Sequence, residues 1–169
     1  VALEVLSTGV VWTFAPALSV PRNDRWGRTY EGFAEDPELV GQLGSAFVKG
    51  LQGEGDEFLD ENHILATSKH FAGDGGTFDG IDQGDVRLSK EEFYSLHVSP
   101  YTPAIDACTQ TIMSSFNSFQ GKKLHGDKSL LTDLLKNEMG FDGFIVGDWN
   151  GHGQVKGCSN ESCPEAFNA

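Results

Sequence analysis

Three apolar residues, Phe144, Ile145 and Val146, lead into Gly147 and Asp148, and Trp149, Asn150 and Gly151 stop the run. The triplet reads as a short buried strand. In a strand, Phe144, Val146 and Asp148 share a face, so the carboxylate continues a line of core residues to the strand's mouth. A buried carboxylate without a partner is costly or takes up a proton. A cation beside it, Arg28 or Lys69, would favour the charged form. An ionised, poorly solvated Asp is a nucleophile or a metal ligand. A metal asks for further carboxylates or histidines at strand ends, and Asp74 and Asp79 are offered only from a glycine-rich loop that reads as mobile. The nucleophile is therefore the preferred reading of Asp148, and no metal or cofactor is expected.

Lys69 and His70 end a second apolar run, "HILATSKHF". Neighbouring strand residues point to opposite faces. Both reach one pocket only if the strand twists or bulges at its end, and Gly73, Gly75 and Gly76 just beyond supply that freedom. Together they would be two donors gripping hydroxyl groups. The plainer alternative is a helix-facing lysine and a satisfied core histidine. In "PRNDRWGRTYEGFAEDP", Arg22, Arg25 and Arg28 are crowded into a strongly acidic chain. Their rigid donor forks suit carboxylates and sugar hydroxyls, although Glu31, Glu35 and Asp36 can absorb some of them in structural pairs.

These residues hang on an alternating framework. "GVVWTFAP" (9–16), "HILATSKHF" (63–71), "TIMSSF" (111–116) and "GFIVGD" (143–148) read as strands. Asp36 and Pro37 open a helix with Leu39, Val40, Leu43, Ala46, Phe47 and Leu51 at helical spacing, closed by Gly53. Ser89 and Glu92 form a capping box for a helix running toward Cys108, which Pro100 and Pro103 must kink or break. Asp127 caps a helix carrying Leu130, Leu131, Leu134, Leu135 and Met139, ended by Gly140. Strand–helix alternation with doubly apolar strands predicts a parallel α/β sheet. Each strand delivers its polar residues at its C-terminal end: the three arginines, then Lys69 and His70, then Asn117, then Asp148. Those ends form the active face of a parallel barrel and of a doubly wound sheet alike.

The 169 residues suffice for one ordinary domain, and 38% apolar with 22% charged residues is a globular composition. The net charge of −13 speaks against a nucleic-acid or anionic-membrane partner. No run of about 18 apolar residues is present to span a membrane. "VALEVLSTG" reads as the tail of a helix, and Pro164 with Glu165 as the first turn of another. The chain is therefore expected to be an internal piece of a longer protein. Cys108 reads as a buried small hydrophobe. Cys158 and Cys163 are either bridged, as suits a periplasmic or secreted protein, or two free loop thiols.

Taken together and in order, "FAPALSVPRNDRWGRTYEGFAEDPELV", "KHFAGDGGTFDGID", "MSSFNSFQGKKLHGDKSLLTDLLKNEMGFDGF" and "VGDWNGH" resemble glycoside hydrolase family 3, most of all its bacterial β-glucosidases and exo-β-glucanases. The resemblance covers nearly the whole chain. It implies a partial (β/α)8 TIM barrel over residues 1–169, about four of eight βα units, with a second α/β domain beyond. It puts Asp148 at the nucleophile position of a retaining enzyme that removes terminal non-reducing β-D-glucosyl residues. It puts Lys69, His70 and Arg28 at sugar-binding positions, Met113 and Phe116 along the pocket, and Trp149 at its entrance. The family more often carries Ser where Gly147 stands. Members acting on N-acetylglucosamine carry a catalytic histidine in a "KH-x-PGHG" loop; here Asp74 falls at that point, which favours the glucosidase branch. Its acid/base glutamate then belongs to the second domain. The implied partners are a β-glucoside or β-glucan oligosaccharide and the remainder of the same chain, and the piece alone is expected to be inactive, with unpaired edge strands. The rivals are a sugar-binding inactive homologue and a barrel lyase or aldolase using Lys69 as a Schiff-base amine.

Overall fold

The computed structural model describes residues 1–155. Cys158, Cys163, Pro164 and Glu165 lie outside the described residues. Helices α1 (Ala2–Leu6), α2 (Pro37–Gln52), α3 (Lys90–Phe93), α4 (Tyr101–Asp106) and α5 (Ser129–Glu138, wound in wide π-type turns) alternate with strands β1 (Thr67–Phe71), β2 (Asp85–Val86), β3 (Thr111–Ser114), β4 (Ser118–Phe119), β5 (Lys122–Lys123) and β6 (Phe144–Val146).

The main sheet runs β1-β3-β6, all parallel. A fourth stave flanks β1 on its other edge. The 11–17 segment bridges in parallel to β1 and the residues just before it, through Trp12 with Leu65 and Ala17 with Lys69, and the amides of Leu65, Thr67 and Lys69 donate to Val11, Ala15 and Pro16. Pro16 has no N–H to return, and the ladder there stays an irregular extended segment. Four staves therefore stand in chain order without reversal. A doubly wound sheet would reverse its order at a switch point; successive addition on one side is the pattern of a barrel arc.

The capping signals operate as the sequence leads one to expect. Asp36 accepts the Leu39 amide at the start of α2, with Pro37 in the first turn, and Gly53 ends the helix at φ 74°. Ser89 and Glu92 form a reciprocal capping box on α3. The helix then widens over Tyr94–Val98, breaks at Ser99–Pro100 and resumes as α4. Gly140 ends α5 at φ 72°.

The buried face of α2 is Val40, Gly41, Gly44, Val48 and Leu51, whereas Leu39 and Leu43 remain 43% and 41% exposed. The helix is rotated because its glycines are the contact points. A Cβ on Gly41 would press on Pro103 of α4 at 3.1 Å, and one on Gly44 would overlap Leu18. Gln52, fully buried, ties the lower end together. Its Nε2 donates to the Cys108 carbonyl, while its Oε1 accepts the Ala66 and Gln110 amides. Cys108 itself is exposed, not buried: it occupies a left-handed turn (φ 61°) between α4 and β3, where its backbone is held and its side chain is not.

The sequence pattern gives no sign of a second, small sheet. β2 pairs in parallel with β4, and β4 pairs antiparallel with β5, forming a rim above the C-terminal ends of the main strands. Each of these strands has two residues, too few to display any alternation.

Candidate active site

The C-terminal ends of the staves gather the polar residues in space. In β1 the register against β3 breaks: Ser68 faces Ile112 and Phe71 faces Ser114, leaving one extra residue on β1 between them. That bulge contains Lys69 and His70, where the sequence predicts one, but of the two only His70 lines the pocket between the strand ends.

His70, 3% exposed, is held from two sides. Its Nδ1 lies 2.7 Å from Asp74 Oδ2, and its Nε2 lies 3.0 Å from the Arg28 guanidinium. With Nδ1–H donating to the carboxylate, Nε2 is the acceptor toward Arg28. Asp74 also accepts Ser19 Oγ–H at 2.6 Å and the Gly75 amide at 3.0 Å. Burial pushes the Asp74 carboxyl upward, but the hydrogen bonds from His70, Ser19 and Gly75 prevail and hold it below the usual range. Asp74 is thus a buried, ionised anchor. The expectation of a mobile loop fails because the glycines beside it close the backbone tightly: a Cβ on Gly75 would sit 2.7 Å from the Val20 carbonyl oxygen.

Arg28 grips Glu31 with a bidentate fork, Nε to Oε1 at 2.7 Å and Nη2 to Oε2 at 3.0 Å. That hydrogen bonding lowers the Glu31 carboxyl and raises the guanidinium. Lys69 Nζ lies 3.9 Å from Glu31 Oε2. Glu31 therefore collects both cations that the sequence reading had set beside Asp148. Arg22 and Arg25 remain at the surface, Arg22 donating to the Glu35 carbonyl.

Asp148 follows β6 directly. Its Oδ1 accepts the Trp149 amide at 2.7 Å, its Oδ2 lies 3.8 Å from His70 Nε2, and its own amide donates to His125 Nε2 at 3.0 Å. Below it, Phe144 packs edge-on against Trp12, yet it is 49% exposed, so the dry floor expected beneath Asp148 is only partly built by the described residues.

A narrow recess is lined by Arg28, His70, Asp74, Asp82, Gln83, Ser115, Phe116, Asn117 and Asp148. Phe116 thus lies along it, while Trp149, next to Asp148 in sequence, is 89% exposed and does not line it. Met113 is buried within β3 and Lys69 sits behind Glu31; neither lines the recess. A wider hollow at the opposite end of the sheet is bordered by Glu54, Asp106 and Asp142 with no basic side chain. It lacks the opposed charges of the recess, and we set the chemistry at the recess. Among the described residues no three His, Cys, Asp or Glu are grouped to hold a metal ion.

A bidentate arginine, a histidine and a carboxylate around a small recess at parallel strand ends are suited to hydroxyl-rich ligands. The family model described as "Glycosyl hydrolase family 3 N terminal domain" matches residues 1–169. The chain belongs to this family. It is 50% identical to the exo-1,3/1,4-β-glucanase ExoP from a Pseudoalteromonas species, with a TM-score of 0.95, over 99% of this chain and 21% of that one. It is 40% identical to a β-xylosidase of Formosa agariphila over 92% of this chain, and 35% identical to a periplasmic β-glucosidase of Salmonella typhimurium over 92%. The chain spans about a fifth of the length of these curated relatives, 22% and 20%. In the family 3 barrel, the arc described above is a partial (β/α)8 domain, as expected.

His125, Glu31 as the hub of the cations, and the Ser19–Asp74 anchor were not singled out from sequence. Asp74 figures in the sequence reading only as a candidate metal ligand and as the residue at the point where the N-acetylglucosamine branch carries histidine, not as an anchor for His70. Nothing in the spacing of "LHGDK" ties residue 125 to residue 148.

Proposed function

We propose that this chain supplies the nucleophile half of a retaining β-glycosidase site acting on terminal non-reducing β-D-glucosyl residues of β-glucosides and β-glucans. The observation that carries the reading is Asp148 at the mouth of β6, facing the recess that Arg28 and His70 border. Arg28 and His70 would hold the sugar hydroxyls from the recess, with Lys69 joining them from beside Glu31; Phe116 would border the ring, and Met113 would pack behind it. Trp149 would meet the leaving part of the substrate. With Oδ1 engaged by Trp149, Oδ2 is the oxygen on the His70 side. An Asp148 oxygen attacks the anomeric carbon. The bond from that carbon to the aglycone oxygen breaks, and its electron pair leaves with the oxygen, which takes a proton from a general acid. Water, deprotonated by the same group, then releases the glycosyl ester.

That acid is best sought outside this chain. Glu31 and Asp74 are both held as acceptors with lowered pKa, the reverse of what a proton donor needs, and Asp82, the remaining carboxylate of the recess, accepts the Trp26 indole N–H at 3.1 Å. The piece by itself would then bind sugar at most and would not turn over. The Schiff-base alternative loses support because Lys69 faces a carboxylate rather than an apolar pocket. Two relatives are named periplasmic, and no helix among the described residues is long and apolar enough to cross a membrane; a periplasmic or secreted location is part of the proposal.

Product stereochemistry tests it. In the full-length protein, β-glucose appears first by NMR, and Asp148→Gly abolishes turnover until azide restores it as the α-glucosyl azide. First release of α-glucose, or turnover by the variant without azide, overturns the reading.

A further inference from the structure

His125 has a position that the sugar-binding assignments leave unused. It lies in the turn Leu124–Gly126, between the small sheet and α5. Its Nε2 accepts the backbone amide of Asp148 at 3.0 Å, and its ring also hydrogen-bonds the Ser115 backbone. With Nε2 as acceptor, the proton sits on Nδ1, and the Ser115 carbonyl is its acceptor. One imidazole thus joins the end of β3 to the end of β6, two neighbouring staves of the arc. The ring is trapped by what surrounds it. Phe116 lies beside it, ring centroids 5.9 Å apart. A Cβ on Gly151 would overlap Nε2 and Cε1, and one on Gly147 would already touch the ring at 3.6 Å. The glycines on either side of "GDWNG" therefore leave the room in which the histidine reaches Asp148.

We propose that His125 is a positioning residue for Asp148, fixing the backbone from which the carboxylate is aimed at the anomeric carbon. The inference rests on the nucleophile reading of Asp148. His125 touches no reacting atom. It acts by holding the Asp148 amide, and a displacement of that backbone by a fraction of an ångström moves the carboxylate off the line of attack.

The device is sensitive to acid. Nε2 accepts only when it carries no proton, and protonation turns the acceptor into a second donor facing the Asp148 N–H. Burial favours the neutral ring, drawing it below the ordinary histidine range. Asp148 opposes this, while His152 and Lys123 reinforce it. These are the charged and titratable groups around the ring, Lys123 from the preceding β5 and Asp148 and His152 from the segment after β6; the β3 end offers only Ser115 and Phe116. The positioning effect is present at neutral pH and lost as pH falls through this depressed value.

The test uses the full-length protein and the rate at which an activated 2-deoxy-2-fluoroglucoside labels Asp148. His125→Phe keeps a ring and removes the acceptor. Its labelling rate falls about tenfold to a hundredfold, while the inhibition constant of glucose, which reports Arg28, Lys69 and His70, stays within about twofold. His125→Gln, whose amide oxygen can accept, recovers most of the rate and moves the acid-side fall in labelling to lower pH than in the parent. If His125→Phe does not fold, the pH profile of His125→Gln against the parent carries the test. A parent that is labelled at Asp148, with His125→Phe labelled equally fast or His125→Gln keeping the parent's acid limb, overturns the inference alone. A parent not labelled at Asp148 overturns the nucleophile reading and this inference with it.

Discussion

Replacing Asp74 by Asn tests whether the anchor under His70 is electrostatic. The side chains are nearly the same shape, so packing is conserved. The carboxylate accepts Ser19 and His70 on Oδ2 and Gly75 on Oδ1. An Asn can turn its oxygen to Ser19 and His70, which sets its NH2 against the Gly75 N–H. One charge-assisted bond is lost, and two become neutral. Charged bonds contribute about 1.5–3 kcal/mol against about 0.5–1.5 for neutral ones, so the local loss is roughly 5 kcal/mol. The pKa of Asp74 is lowered in the folded state. Its stabilisation is therefore fully present above the ordinary carboxylate value near 4 and lost as pH falls through the folded value. The deficit of Asp74→Asn should accordingly shrink in acid. Denaturant-dependent hydrogen exchange of peptides covering β1 in the full-length protein reads this local stability at pH 7 and in acid. With His70 less firmly held, kcat/KM for an aryl β-glucoside falls about tenfold or more. A deficit below about 0.5 kcal/mol at pH 7, or one of equal size in acid, refutes the argument.

Three further outcomes follow from other parts of the structure. His97 is buried with its Nε2 unpartnered, and burial lowers its pKa from 6.5 to about 4, against the pull of Asp74; local stability of the 73–98 region should fall by roughly 3 kcal/mol between those pH values, and a flat profile by hydrogen exchange would contradict this. Glu31→Gln releases the Arg28 fork and its contact with Lys69; glucose affinity should drop about tenfold through disordered cations, and unchanged inhibition by glucose would count against Glu31 as their organiser. Trp149→Ala, at an 89% exposed position, should leave thermal stability within about 0.5 kcal/mol while raising KM for a gluco-oligosaccharide about three- to tenfold, with little change for a small aryl glucoside; equal effects on both substrates would remove Trp149 from the leaving-group side.

What was legible in the sequence was what periodicity and caps encode. The Asp36–Pro37 start, the Ser89–Glu92 box and the Gly53 and Gly140 stops are local chemistry, and they hold. The convergence of Arg28, His70 and Asp148 was also legible, since parallel strands deliver their C-terminal residues to one face. The rest depends on tertiary contact. Of glycines 73, 75 and 76, read for their freedom, Gly73 uses it at a left-handed φ of 92°, whereas Gly75 and Gly76 are close approaches to Val20 and His97. Arg28 and Lys69 were set beside Asp148, but Glu31, three residues from Arg28, is the better partner. Leu39 and Leu43 fit the apolar stripe, yet the smaller Gly41 and Gly44 win the interface because α4 and Leu18 approach too closely for a side chain. His125 joins residues 23 apart through one backbone amide, a relation without any sequence period.

The central claim is that Asp148 forms the covalent bond to sugar. Incubating the full-length protein with an activated 2-deoxy-2-fluoroglucoside, followed by peptide mass spectrometry, tests it most directly. The account predicts one fluoroglucosyl group per active site on the peptide "GFIVGDWNG", attached at Asp148; a label on any other residue, or hydrolysis with no label formed, contradicts it.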